Sequence, residues 1–240
     1  MVSYFASASA LGRLARQGSV KQRRGNERDA VQVLANGGPA ALCAFVHAVA
    51  PQPWREFALT AFYGSLASAA ADTWATEIGT RWGGLPRRIT TLRTTSPGES
   101  GSVTPIGLAA SALAALAVAG AAQTGKANRR VLATSCVAGG IAGSLADSLL
   151  GALVQEQRWC AHCSTRTELA VHTCGFPSQH LSGVPAVDND VVNLSGVILG
   201  GLASVAASAT LSALAEHDRS RVEFSATTTS SRLPSLTGAL

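Results

Sequence analysis

Five stretches of this chain run without a single charged side chain or with almost none: Ala30–Trp54, Phe57–Ala71, Ser102–Gly125, Val131–Ala146 with an extension to Val154, and Val191–Ala215. Several reach the roughly 20 residues that an α-helix needs to cross a hydrocarbon core. A soluble, alanine-rich helical protein is the competing reading, but repeated uncharged runs of this length fit it poorly. Only 14% of the 240 residues are charged and 47% are hydrophobic, against about 25% charged in soluble domains. The expected fold class is therefore all-α: a polytopic transmembrane helical bundle with about five spans.

The net charge of +5 raises the question of nucleic acid. The placement of the cations answers it. Lys and Arg lie between the hydrophobic runs, where they set membrane orientation. Residues 1–30 carry six, the 79–101 loop four and the 155–190 loop two; the other side has Arg55, then Lys126, Arg129 and Arg130, then three in the tail. With five spans these groups alternate, twelve against seven, and the richer side is cytoplasmic. No nucleic-acid partner is expected. Residues 1–30 read as a basic cytoplasmic or interfacial segment with no convincing signal peptide. Residues 31–215 form the transmembrane domain, and 216–240, rich in Ser and Thr, a disordered tail.

Acids inside such runs are expensive and mark functional hypotheses. Asp72 closes the second run and shares a helical face with Gly64, Ser68 and Thr76; Asp147 shares one with Gly143 and Gly151. Small residues at this spacing mark helix contacts in membranes, so both aspartates point into the bundle. The fifth run repeats the pattern with Gly196, Gly200, Ser204, Ser208 and Ser212. "SAAADTW" and "GSLADSL" place Asp72 and Asp147 75 positions apart after small residues, as a parallel duplication would.

The alternation of spans gathers the polar groups at one membrane level. Asp72 and Glu77 fall at the cytoplasmic end of the second helix, and Asp147 near that end of the fourth. "VPAVDNDVVNLSG" brings Asp188, Asn189, Asp190 and Asn193 into the fifth, and "QVLANGG" brings Asn36 into the first. Carboxylates and amides of this kind suit Mg2+, which leaves positions for water and phosphate oxygens. Asp72, Glu77, Asp147, Asp188 and Asp190 are the candidate ligands. Asp72 and Glu77 lie about 140° apart round a helix, so Glu77 is either a second ligand or an interfacial residue.

"PRRITTLRTTSPGESGSVT" adds Arg87, Arg88 and Arg93, then Gly98 and Gly101, ahead of the third helix N-terminus. Such a loop can present cations and backbone N–H groups to phosphate, although it lacks the ending of a P-loop. A turn followed by a helix cap at Ser102 or Thr104 is the plainer reading. "CAHCSTRTELAVHTC" holds Cys160, Cys163, His172 and Cys174, either a Cys3His structural zinc site or an incidentally cysteine-rich loop. Cys43 and Cys136 lie in helices as small apolar fillers.

Taken together, "RDAVQVLANGG", "ADTWATEIG", "PRRITTLRTTSPGESGSV", "GSLADSLLGA" and "GVPAVDNDVVNLSG" resemble the membrane family of transmembrane protein 19 and plant phytyl-phosphate kinase, in order, over about residues 1–215. That family is distantly similar to dolichol and phytol kinases and to CDP-archaeol synthase. The resemblance implies a multi-pass protein of the bacterial inner (plasma) membrane. It implies phosphorylation of an isoprenoid monophosphate to the diphosphate, with Mg2+ and with CTP or ATP as donor. Asp72, Asp147 and Asp190 would be the catalytic core, and Asn36, Arg87, Arg88, Arg93, Gly98, Gly101, Asn189 and Asn193 would bind phosphate or nucleotide. Family members carry further hydrophobic segments upstream, so this chain reads as an N-terminally shortened form. The Cys/His loop lies outside the motifs that carry the resemblance. The same acids also allow a cation- or proton-coupled transporter, or a non-catalytic membrane protein in which they pair with arginines.

Overall fold

A computed structural model describes residues 30–122 and 129–230. The basic segment 1–29 and the end of the tail, 231–240, lie outside the described residues, as does Lys126. Among the described residues five helices make the bundle: α1 (Ala30–Val49), α2 (Trp54–Trp82), α3 (Pro105–Ala121), α4 (Arg129–Leu153) and α5 (Asn189–Ser230). Helix α5 continues past the boundary expected at residue 216. The segment that follows Ala215, "EHDRSRVEFS", contains neither glycine nor proline to stop it.

Among the described residues three helical segments are long and apolar enough to cross a membrane: Ala30–Val49, Arg130–Leu153 and Asn189–Asp218; α3 is apolar but shorter, at 17 residues. Helix α2 is long, at 29 residues, yet less apolar. Its position explains why. It packs against all four other helices, and its stretch from Gly64 to Ala71 is buried at every residue. A helix surrounded by protein does not need the apolar surface that lipid demands. Along its middle the exposed large apolar side chains, such as Leu42, Phe45, Leu113, Leu116, Leu202 and Leu214, are on the helices around it, and α2's own, Trp54, Phe57 and Trp82, lie at its ends.

Small residues let α2, α4 and α5 approach to backbone contact. Ser68 Oγ donates to Gly196 O at 3.0 Å and Ser65 Oγ to Val197 O at 3.2 Å. A Cβ added at Gly200 would fall 2.5 Å from Ser68 Cβ and 2.9 Å from Gly139 O. One added at Gly140 would fall 2.8 Å from Ala115 Cβ and 2.9 Å from Ala67 Cβ. Around this seam Ala67, Ala115, Ala119 and Cys136 form a core, flanked by Tyr63, Val118, Val137 and Ile141. The cysteine is a filler, as its setting in the sequence suggests.

The contacts define a register. Gly64 and Gly139 both lie against Gly200 O and Ser204, and Gly143 lies against Ser68. Helices α2 and α4 are therefore parallel, matched at an offset of 75 residues, and both run antiparallel to α5. Helix α3 runs antiparallel to α2, with Gly107 against Gly79 and Thr104 against Gly83. Thr104 caps α3, its hydroxyl accepting from Gly107 N at 3.0 Å, with Pro105 following at the first helical position.

The bundle is helical, but its two long loops are not featureless. Strands β1 (Arg87–Arg88) and β2 (Ser102–Val103) pair antiparallel within the 83–104 loop. Strands β3 (Gln157–Cys160), β4 (Thr165–Thr167) and β5 (Gln179–Ser182) form a sheet in the order β4-β3-β5 between α4 and α5.

The seam predicts a contrast between two glycines. Gly200→Ala overpacks against Ser68 and the Gly139 carbonyl and should cost about 1–3 kcal/mol. Gly120→Ala, with no atom within 4 Å of the new Cβ, should leave the melting temperature in detergent unchanged or slightly raised. Equal melting of both variants would show the helix register to be wrong.

Candidate functional site

Carrying the α2–α4–α5 register one turn further brings Asp72 and Asp147 to a common level. Both follow by four residues a position in the seam, Ser68 and Gly143. Asp147 lies directly on α5: a Cβ built on Gly196 would be 3.0 Å from Asp147 Cβ and 3.4 Å from its Oδ2. The turn of α5 at this level carries Val192 and Asn193 and leads back to Asn189 and Asp190. Asp72, Asp147, Asn189 and Asn193 are each half-buried, and Asp190 is buried. Asp188 has a different first task. Its Oδ1 accepts from the N–H groups of Asp190 (3.0 Å) and Val191 (3.1 Å), capping α5.

The 83–104 loop docks at this same end. Gly101, at φ +74°, abuts Ala152 so closely that no side chain would fit, and it touches Gly151 as well. Arg88 reaches the end of α4, its Nη1 donating to Ala152 O at 3.2 Å, while Nη2 pairs with Glu99 at 2.9 Å. Arg88 is thus committed to holding the loop. Arg87 and Arg93 are exposed, with Arg87 Nη1 donating to Leu92 O at 2.9 Å. Gly98, at φ +81°, has open space around it. Asn36 Nδ2 donates to Gln32 O within α1. Glu77 is half-buried on α2, two residues before Gly79, where α3 packs.

The strand-bearing segment between α4 and α5 closes over the loop. Glu99 also accepts from Arg166 of β4 at 2.7 Å, and Ser100 donates to Glu168. At the sheet's base Glu156 Oε2 accepts from Ala186 N at 3.2 Å, and Oε1 meets Arg158 and His180. The Ala186 N–H, with Arg158 and His180, holds the Glu156 carboxyl below its ordinary value. Glu99, Glu156 and Glu168 were invisible to sequence reasoning, because a charge in a polar loop carries no signal. Two neighbouring buried amides, Gln155 and Gln157, have Nε2 atoms with no acceptor among the described residues.

The Cys/His residues converge. The ligand atoms of Cys160, Cys163, His172 and Cys174 all lie within 4.8 Å of one another. His172 Nδ1 is 3.0 Å from Cys174 Sγ, and this contact, followed by the Phe176 backbone N–H, draws the Cys174 thiol down to about 6. Cys163 is pushed up to about 11, chiefly by its neighbour Cys174.

A bundle glued by small residues, with exposed apolar flanks and acids at one end, defines an integral membrane protein. The chain belongs to the family described as integral membrane protein DUF92, whose model matches residues 1–216. Among its relatives is Protein PGR of Arabidopsis thaliana, 32% identical over 209 residues, covering 77% of this chain and 70% of that protein. Uncharacterized membrane protein sll0875 of Synechocystis is 30% identical over 123 residues, covering 50% of this chain and 48% of the relative. Uncharacterized membrane protein MJ0933 of Methanocaldococcus jannaschii is 35% identical over 132 residues, covering 54% and 52%. The matches to these last two span about half of each relative's length. No solved structure matches. The family resemblance read from the motifs is thereby established.

Arg88→Ala removes a largely shielded charged hydrogen-bond donor and should destabilise by about 1–3 kcal/mol. It should also open the loop to trypsin at Arg87 and Arg93. Arg166→Ala breaks a more exposed pair and should cost under about 1 kcal/mol. The Glu156 clasp should persist above the ordinary glutamate range and fail as pH falls through its lowered value. The protection factors of residues 179–187, taken relative to intrinsic exchange at each pH, should therefore fall on acidification in the wild type, and Glu156→Gln should flatten that dependence.

Proposed function

We propose that this protein phosphorylates an isoprenoid monophosphate to the diphosphate, with a nucleoside triphosphate as donor, at the end of the bundle where the two loops meet. The observation that carries this reading is the 75-residue register, which sets Asp72 and Asp147 level on parallel helices beside the N-terminal turns of α5. An oxygen-rich set at a membrane surface suits the meeting of a water-soluble nucleotide with a membrane-bound acceptor.

The acceptor is already an anion, so no strong general base is needed. Positioning and charge neutralisation dominate phosphoryl transfer. An oxygen of the lipid phosphate forms a new bond to the γ-phosphorus as the bond from that phosphorus to the β-bridging oxygen breaks, and the nucleoside diphosphate leaves with the electron pair. Asp72, Asp147 and Asp190 offer carboxylates, and Asn189 and Asn193 offer amides. This donor set fits Mg2+, a hard cation that would spread the charge of the transferring group when bound. Asp188 contributes the oxygen its cap leaves over, and Glu77 extends the acidic wall. Arg87 and Arg93, exposed on the loop, would receive phosphate, with Gly98 at an open turn between them and Gly101. Arg88 anchors the loop. Asn36 serves at the rim. The apolar tail lies against the outward aliphatic surface of the helices. CTP and ATP are the donors to compare, and a bacterial inner membrane is the proposed location.

Membranes containing the protein should convert phytyl, geranylgeranyl or farnesyl monophosphate to the diphosphate with labelled CTP or ATP. Asp147→Asn should lower that rate on the order of 100-fold or more with expression and membrane insertion intact. Full activity in this variant would remove Asp147 from the site. Purified protein that shows no thermal shift with any nucleotide, with or without Mg2+, would overturn the kinase reading itself.

A further inference from the structure

We propose that Cys160, Cys163, His172 and Cys174 bind one zinc ion in a tetrahedral Cys3His site, and that this ion braces the loop at residues 83–104 from outside the bundle.

The geometry favours a metal over a disulfide. Cys160 Sγ and Cys174 Sγ are 3.6 Å apart. Zinc–sulfur bonds of about 2.3 Å place two thiolates of a tetrahedron about 3.8 Å apart, whereas a disulfide needs about 2.05 Å. All three cysteines outside the helices belong to this cluster. Each pair of ligands sits on a tight turn that reverses through a left-handed residue just after the second ligand. Ser164 follows Cys163 at φ 49°, and Gly175 follows Cys174 at φ 87°. Gly175 N donates to His172 O at 2.8 Å, closing the second turn. His162 and Phe176, one from each turn, stack at 4.1 Å between ring centroids, tying the two turns together. Cys160 and His172 are buried, Cys174 half-buried and Cys163 exposed, so the ion would enter from the Cys163 side.

All four positions are filled by protein, which makes the site structural rather than catalytic. Its mechanical output is visible in the chain of contacts. Cys160 ends β3, and Thr165 pairs with it to start β4. Arg166 of β4 grips Glu99, Glu99 grips Arg88, and Arg88 holds the carbonyl of Ala152 at the end of α4. A hairpin of so few residues has little core of its own. With the ion removed, the grip on Glu99 and Glu168 loosens.

The test uses the full chain purified in detergent without added chelator. Elemental analysis should give one zinc per chain, and replacement by Co2+ should produce the visible bands and thiolate charge transfer of a tetrahedral site. Cys163→Ser, at the exposed ligand, should weaken zinc retention at least about tenfold, while His172→Cys should keep it. Removing zinc should raise hydrogen exchange of residues 83–104 by about tenfold or more and leave the middle of α2 unchanged. A metal-free protein without cobalt bands, or a Cys160–Cys174 disulfide found by mass, would overturn the site. Zinc bound with no change in loop exchange would overturn the bracing. These readouts involve no phosphoryl transfer, so they stand or fall apart from the kinase reading.

Discussion

Direct backbone contact between α2, α4 and α5 is the constraint on which the rest of this molecule depends. In a bilayer, lipid tails compete with side chains for apolar contact, so helices gain little from greasy surfaces alone. Here the gain comes from closeness. Gly64, Gly139, Gly143, Gly196 and Gly200 remove the side chains that would separate the helices, and Ser65 and Ser68 bond to carbonyls of α5 through the gap. Because two of the three helices run parallel, their acids cannot be placed independently. The seam that holds the bundle also decides how far Asp72 stands from Asp147.

That seam was legible in the sequence because it rests on a periodicity. Small residues every four positions, ending in an acid, appear twice at an offset of 75, and the structure matches those two stretches one against the other. The three helices long and apolar enough to span a membrane were legible for the same reason, since a long uncharged run has few other uses. Helix α2 was harder. Its burial comes from its neighbours, and nothing local to Gly64–Ala71 distinguishes a helix wrapped by protein from one facing lipid.

The loops were the least legible part. Glycines at 98 and 101 suggested a phosphate loop, yet Gly101 is required first because Ala152 leaves no room for a side chain. Arg88 looked like a phosphate ligand until its partner, Glu99, came into view eleven residues along. Pairings such as Arg166 with Glu99 join segments 67 residues apart, and short sequence patterns do not reach that far. The Cys/His loop sits between these cases: its residue types announce the chemistry, but only the fold brings His172 and Cys174 beside Cys160 and Cys163.

The parallel pair with a shared antiparallel partner has a kinematic side. Helix α5 lies against equivalent turns of α2 and α4 along the whole seam, so any sliding of α5 along its axis displaces it against both at once. A shift of one turn would move the Asn189–Gly196 stretch of α5 past Asp72 and Asp147 together, so the surroundings of the two acids would change in step. An arrangement of that kind behaves as a single toggle rather than two adjustable half-sites.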